Sequence, residues 1–239
     1  ILDLNTNRMV GSLPTELGRL SLELLLLGSN TSAATAPTVL FRNFWLRGRS
    51  LNDNVLLGAI PSEIGLLNWP IYVGLSSNQL SGTLPPSFSN LKYLRILDIS
   101  SNELTSTIPE KIYNELFQPY FFAYEFSAAI GGSNPCNSTE MSGRMHVFYD
   151  CDVLDLHNNH FTGPGPTRIS SRLQHLDLSN NDLDGSLSPE LWESGSSLTY
   201  FNISSTSITG FIPDDACHEG IHFDCSSSLC GCNCSCTDA

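Results

Sequence analysis

An asparagine returns at Asn7, Asn30, Asn54, Asn78 and Asn102 at intervals of 23, 24, 24 and 24 residues, then at Asn159 and Asn181, with Thr206 in the equivalent place. A chain this regular folds as stacked supersecondary units, because one unit is too short to bury its own apolar face and must cover it with its neighbours. Leu4, Leu27, Leu51, Leu75, Ile99, Leu156, Leu178 and Ile203 stand three residues before the anchor. Leu2, Leu25, Val73, Leu97, Leu154, Leu176 and Phe201 stand five before it. That alternation is a short strand with one buried side. Seven after the anchor comes Pro14, Pro37, Pro61, Pro85, Pro109, Pro166 or Pro213, with Ser188 the exception. Proline ends the strand and begins the return path.

After each strand the chain has to turn inward, which leaves main-chain groups without strand partners. An asparagine amide offers two donor hydrogens and an acceptor oxygen, enough to bond them. Asn7, Asn30, Asn54, Asn78, Asn102, Asn159 and Asn181 are therefore expected to be a buried structural ladder rather than ligand contacts. A buried polar group left unpaired costs about 1–3 kcal/mol, so leucine is no substitute.

The stretches "LRILDISSNELTSTIP", "LSSNQLSGTLP", "LNDNVLLGAIP", "LHNNHFTGPGP", "LDLSNNDLDGSLS" and "FNISSTSITGFIP" resemble the plant-type leucine-rich repeat, whose glycine four after the anchor recurs as Gly11, Gly58, Gly82, Gly163, Gly185 and Gly210. The resemblance implies an α/β-type solenoid: a right-handed curved horseshoe with a parallel sheet on its concave face and few regular helices. At about 4.8 Å between strands, eight repeats make a wall roughly 40 Å long, suited to a macromolecule or polymer. Two departures lead us to expect local distortion of the sheet: Arg49 replaces an aliphatic residue, and Pro70 replaces the first strand leucine of the fourth repeat.

We divide the chain into 1–112, about five repeats; 113–150, an aromatic-rich insertion or degenerate repeat; 151–213, three repeats; and 214–239, a cysteine-rich cap and tail. The chain starts inside a repeat at Ile1, so we expect more of the protein before it. The insertion carries seven aromatics from Tyr113 to Phe126, a candidate secondary contact patch. Its placement is similar to islands that help form the ligand site in some plant receptors of this class, and degenerate core is the alternative. Chains similar to this one, with cysteine-dense tails, occur among algal and diatom proteins of the family.

Eight cysteines crowd into the second half of the chain, an even number that suits an oxidising compartment. A Cys136–Cys151 bridge would close the insertion and a Cys217–Cys225 bridge would fold a cap, while the pairing of Cys230, Cys232, Cys234 and Cys236 stays open. Alternate cysteines are a poor match to the two-to-four-residue spacing of structural zinc, so no metal and no cofactor is expected. Sequons occur at Asn30, Asn137, Asn202 and Asn233. Asn30 falls in the ladder, which leaves Asn137 and Asn202 as the candidate glycosylation sites. These features point to the secretory route and an extracellular or cell-surface location.

The tally of 11 Lys+Arg against 24 Asp+Glu, a net charge of −13, argues against nucleic acid as a partner. No apolar run approaches the roughly 20 residues of a membrane span, although an anchor elsewhere is compatible with the pattern. No nucleophile or acid/base pair is legible, so we expect no enzyme. His157 and His160 lie on opposite sides of a turn and are expected to be separate surface histidines. Four residues before the anchor stand Asp98, Asp155, Asp177 and Asn202, two before it His157, and six before it Tyr72 and Tyr200. These positions face the concave side. Asp98, Asp155, His157, Asp177, Tyr200 and Asn202 are the candidate contacts for a protein, peptide or polysaccharide ligand. The alternatives are an inhibitor of secreted glycoside hydrolases and a structural or adhesive wall protein.

Overall fold

A computed structural model describes residues 1–30, 35, 38–42, 48–68, 70–116, 152–192, 197–213, 216 and 221–224. Cys136, Cys151, Cys217, Cys225, Asn137 and the tail from 225 onward lie outside them, as do the aromatic residues of the insertion beyond Leu116. Along the chain the strands are β1 (Leu2–Asp3), β2 (Leu24–Leu26), β3 (Gly48–Ser50), β4 (Leu57–Gly58), β5 (Tyr72–Gly74), β6 (Gln79–Gly82) and β7 (Ile96–Asp98). They continue as β8 (Glu103–Thr107), β9 (Asp152–Asp155), β10 (His160–Pro164), β11 (Leu173–Asp177), β12 (Asp182–Asp184), β13 (Tyr200–Asn202) and β14 (His222–Asp224). An α-helical turn, α1 (Glu110–Asn114), follows β8, and 3₁₀ turns such as Ser62–Leu66 and Pro86–Asn90 carry the return path.

The alternating strands assemble as expected. β1, β2, β3, β5, β7, β9, β11, β13 and β14 pair in parallel, in that order, as the concave wall. A second parallel sheet, β12-β10-β8-β6-β4, forms where the chain turns after each anchor. Between the wall and the return turns runs one apolar core. Leu25, Val73, Leu97, Leu154, Leu176 and Phe201 from the wall strands, and Leu51 just after β3, pack there with Ile64, Phe88 and Leu191 from the turns.

The asparagine ladder sits inside this core. Asn30, Asn78, Asn102, Asn159 and Asn181 are all at most 8% exposed. The Asn102 amide nitrogen donates to Ile99 O (3.1 Å) and Ser100 O (3.0 Å) of its own turn and to Leu75 O (3.0 Å) of the preceding one. Its oxygen accepts from Leu80 N at 3.0 Å. Asn78, Asn159 and Asn181 repeat the arrangement with Leu56 N, Leu104 N and Phe161 N. Thr206 stands in with a hydroxyl that donates to Ile203 O (2.7 Å) and accepts from Ile208 N (3.4 Å). Two members differ: Asn54 is half-buried, and Asn7, in the first turn, is exposed and bonds only within its own turn. The residue before each anchor is left-handed, from Thr6 (φ 54°) through Ser101 (φ 52°) to Ser205 (φ 53°), and this twist aims the next side chain inward.

Three expectations need correction. The sheet is continuous at Arg49: Leu25↔Arg49↔Val73 pair in register, and β5 pairs onward to β7 despite Pro70. The Arg49 side chain is buried at 1% exposure, donates from Nη2 to Leu40 O (3.0 Å) and lies over the Phe41 ring, and burial lowers its pKa to about 9. Its long apolar stem fills the place of a leucine while the head finds main-chain and ring partners. Next, α1 crosses the boundary set at 112, and Tyr113 and Leu116 belong to the core, so Tyr113 is no part of a surface patch. Finally, the wall does not stop at 213: residues 222–224 add one more strand to it. Tyr200↔His222, Phe201↔Phe223 and Asn202↔Asp224 pair in register, and Ala216, Ile221 and Phe223 join the core.

The strand rhythm also survives the 57-residue gap between anchors, because β7 pairs directly with β9 through Ile96↔Val153, Leu97↔Leu154 and Asp98↔Asp155. Glu110 joins the two sides by accepting from the Thr167 hydroxyl (2.6 Å) and from Arg168 N (3.0 Å).

Candidate ligand-binding face

Because the wall strands are parallel and pair in register, apart from one irregularity between Leu173 and His175 on β11, residues at one offset from the anchor form columns across the sheet. The column four before the anchor runs Asp98, Asp155, Asp177, Asn202 and Asp224 across β7, β9, β11, β13 and β14. The column six before it runs Tyr72, Ile96, Val153, His175, Tyr200 and His222. The candidate residues Asp98, Asp155, Asp177, Tyr200 and Asn202 thus come together on one face, with His157 two positions further along β9's turn.

Three carboxylates of the first column, Asp98, Asp155 and Asp177, are each fixed by a turn of their own. Asp98 Oδ1 accepts from Ser100 N (3.2 Å) and Oγ (2.7 Å), and Asp177 Oδ1 accepts from Ser179 N (2.9 Å) and Oγ (2.6 Å). Asn202 Oδ1 accepts from Ser204 in the same way. At Asp155 a histidine replaces the serine: Oδ1 accepts from His157 N (3.2 Å) and lies 2.5 Å from its Nδ1. Asp98, Asp155 and Asp177 are 6%, 7% and 8% exposed, so the repulsion between them is poorly screened. Burial and then the charge of Asp155 push Asp98 up to about 6, and raise Asp177 for the same reasons. The hydrogen bond to Asp155 raises His157 to about 9 against its partial burial, with the charges of Asp155, Asp177 and Asp98 adding to it. His157 is therefore the cation of the strip at neutral pH. Burial lowers His175.

In the second column the rings of His175 and Tyr200 stack at 4.2 Å and 5°, and Tyr200 and His222 at 5.5 Å and 21°. The Tyr200 hydroxyl lies 3.4 Å from Asp177 Oδ2 and 3.2 Å from Asp224 Oδ2, and accepts from the Asn202 amide at 3.1 Å. The other Asn202 donation goes to Asp177 Oδ2 at 3.1 Å. A glycan on that nitrogen would replace one of its two hydrogens and so remove one of these two bonds. His160 is on the second sheet, 3.6 Å from Asp182, well separated in role from His157. Asp155, His157 and Asp177 bring one donor atom each to within 4.8 Å of one another, the only such grouping of three among the described residues.

Sequence reasoning missed His175, His222 and Asp224. The signal for the last two was "IHFDC", which alternates like the other strands but lacks the anchor asparagine. His175 sits one place before the leucine of "LQHLDLS" and was legible only as a column.

Comparison with known proteins bears on this architecture. The family model for the Leucine Rich Repeat matches residues 71–91, 93–114, 172–194 and 197–218. The chain superposes with a TM-score of 0.71 and 32% identity, over 97% of its length, on the leucine-rich-repeat ectodomain of the plant membrane receptor kinase GASSHO1/SCHENGEN3 from Arabidopsis thaliana. The chain is a plant-type leucine-rich-repeat protein. The same superposition gives 0.72 and 27% over 92% of the chain for a TDR receptor. It gives 0.67 and 25% over 99% for the leucine-rich-repeat ectodomain of the Arabidopsis receptor kinase HAESA. The first of these structures is a complex with Casparian strip integrity factor 2, and the HAESA structure is a complex with a peptide hormone ligand. The chain spans 25%, 33% and 35% of the length of these three chains. No curated protein matches the chain in sequence. Among the described residues no helix is long and apolar enough to cross a membrane.

Proposed function

We propose that this chain is the recognition part of an extracellular or cell-surface protein, and that it binds a peptide across its concave wall rather than catalysing a reaction. The observation that carries the reading is the pair of in-register columns, carboxylates beside stacked rings, on the face of β7, β9, β11, β13 and β14. A rigid parallel sheet holds those groups at fixed spacing before a ligand arrives, which keeps the ordering cost of binding low. The peptide complexes of similar ectodomains support the ligand class. Asp98, Asp155, Asp177, Tyr200 and Asn202 are the contacts, with His157 setting the charge of the strip.

The test is affinity capture from surface and secreted extracts with the chain and with a variant carrying Asp98→Lys, Asp155→Lys and Asp177→Lys. The partners kept by the first and lost by the second are the ligands. Identical captures would remove the concave face from the reading.

A further inference from the structure

The strip is short of hydrogen-bond donors. Tyr200 has one hydroxyl hydrogen for two carboxylate oxygens, Asp177 Oδ2 and Asp224 Oδ2. Asn202 spends its amide on Asp177 Oδ2 and on the tyrosine oxygen itself, so it leaves that shortage in place. Asp155 is 7% exposed and uses one oxygen on His157, while no described residue donates to the other. Arg95 and Arg172, beside the same sheet, both pair with Asp152, at 2.6 and 2.8 Å. The chain as a whole carries −13. Surplus acceptors on a preformed face are matched by donors from outside.

The spacing narrows the donor further. Neighbouring wall strands are about 4.8 Å apart, so every second member of the column, Asp98 to Asp177 and Asp177 to Asp224, is about 9.6 Å apart. A polyproline II chain rises about 3.1 Å per residue and returns to the same face after three residues, about 9.3 Å. An extended β-chain repeats its face at about 6.8 Å and falls out of step. The stacked His175, Tyr200 and His222 rings form a wall one column away, the kind of surface on which proline-rich chains lie.

We infer that Asp98, Asp177 and Asp224 take the arginine or lysine side chains of a proline-rich basic peptide that crosses β7 to β14 with a cationic residue at every third position, while Asp155, between the first two, adds its charge to the same strip. The inference rests on the peptide-binding reading above and adds the ligand's charge and period. Asp98 and Asp177, both raised by burial and by Asp155, ionise more fully once a cation lies beside them.

The test uses the whole chain and three synthetic peptides measured by calorimetry: four Arg-Pro-Pro repeats, four Glu-Pro-Pro repeats, and the arginine peptide reordered with its four arginines together. The arginine repeat is expected to bind at least about tenfold tighter than the glutamate repeat and about fivefold tighter than the reordered peptide, as charge-assisted bonds of fixed geometry require. Asp155→Asn and Asp177→Asn should each weaken it about fivefold, and salt raised from about 50 to 300 mM should weaken it similarly. Asp182→Asn, on the second sheet, should change nothing. Equal binding of the arginine and glutamate repeats, with loss in Asp155→Asn, overturns the cationic assignment and leaves the concave face as the ligand site. Arginine-repeat binding that Asp155→Asn and Asp177→Asn do not weaken overturns both. Binding of the reordered peptide as tightly as the repeat overturns the period, and binding of none of the three overturns the inference. Tight binding of zinc or calcium alone that is lost in His157→Gln and blocks the peptide makes the strip a metal site and overturns it as well.

Discussion

The side-chain oxygen of Asn102 accepts the main-chain N–H of Leu80 in the preceding repeat, 3.0 Å away, while its nitrogen serves carbonyls in both turns. The asparagine is thus a rivet between neighbours as well as a filler for its own turn. Its removal should be felt as a loss of coupling between repeats.

Asn102→Leu is expected to cost about 3 kcal/mol or more, since it strands several buried groups at about 1–3 kcal/mol each. Asn7→Leu, at an exposed member that bonds only inside its own turn, should cost under about 1 kcal/mol. Denaturant melts of the two variants compare them directly. Equal losses would mean that the ladder acts within turns only.

Tyr113 is fully buried in α1, and its hydroxyl has no hydrogen-bond partner among the described residues. Tyr113→Phe removes an unsatisfied polar atom and keeps the ring, so it should leave stability unchanged or raise it by up to about 1 kcal/mol. A calorimetric melting temperature that falls would show that the hydroxyl is bonded in solution.

The strip gives stability two pH dependences of the same sign in separate windows, both lowering it as pH rises. His157 is raised in the fold to about 9, so its contribution is complete below its ordinary value of 6.5 and is lost as pH rises through about 9. His157→Gln should flatten the melting temperature over that window. Asp98 is raised to about 6, so its ionisation penalises the fold as pH rises from 3.8 through about 6. Asp98→Asn should therefore stabilise the chain at pH 7.5 relative to its effect at pH 4, and an equal effect at both would refute the penalty.

Gly74 allows Tyr72 to lie across the strand: a Cβ there would come within 2.1 Å of the Tyr72 hydroxyl and 2.6 Å of Asn52 Oδ1. Gly74→Ala should swing the tyrosine away from the Asn52 amide, which donates to its hydroxyl at 3.0 Å, and cost about 1 kcal/mol. Tyrosine absorbance and a denaturant melt would record the two effects together, and an unshifted spectrum would show that the ring stays put.

The solenoid was legible because one residue type every two dozen positions has a single physical use, and the apolar alternation before it fixes strand facing. The candidate contacts were legible for the same reason: register turns an offset in sequence into a column in space. What escaped was context. Arg49 breaks the leucine rule, yet its stem packs like one and its head reaches Leu40 O. Phe223 and Asp224 continue the wall without an anchor, so the period could not find them. The closeness of His157 to Asp155 was hidden because the anchor pattern gives the column a residue occupies, not which way a ring turns within it.

The direct joining of Asp98 to Asp155 across the long excursion between their repeats has a mechanical corollary. Strands far apart in sequence are welded edge to edge, so the pitch of the groove at that seam is set by main-chain pairing between Ile96–Asp98 and Val153–Asp155. A substitution that weakens that seam would therefore be felt in the groove on both sides of it.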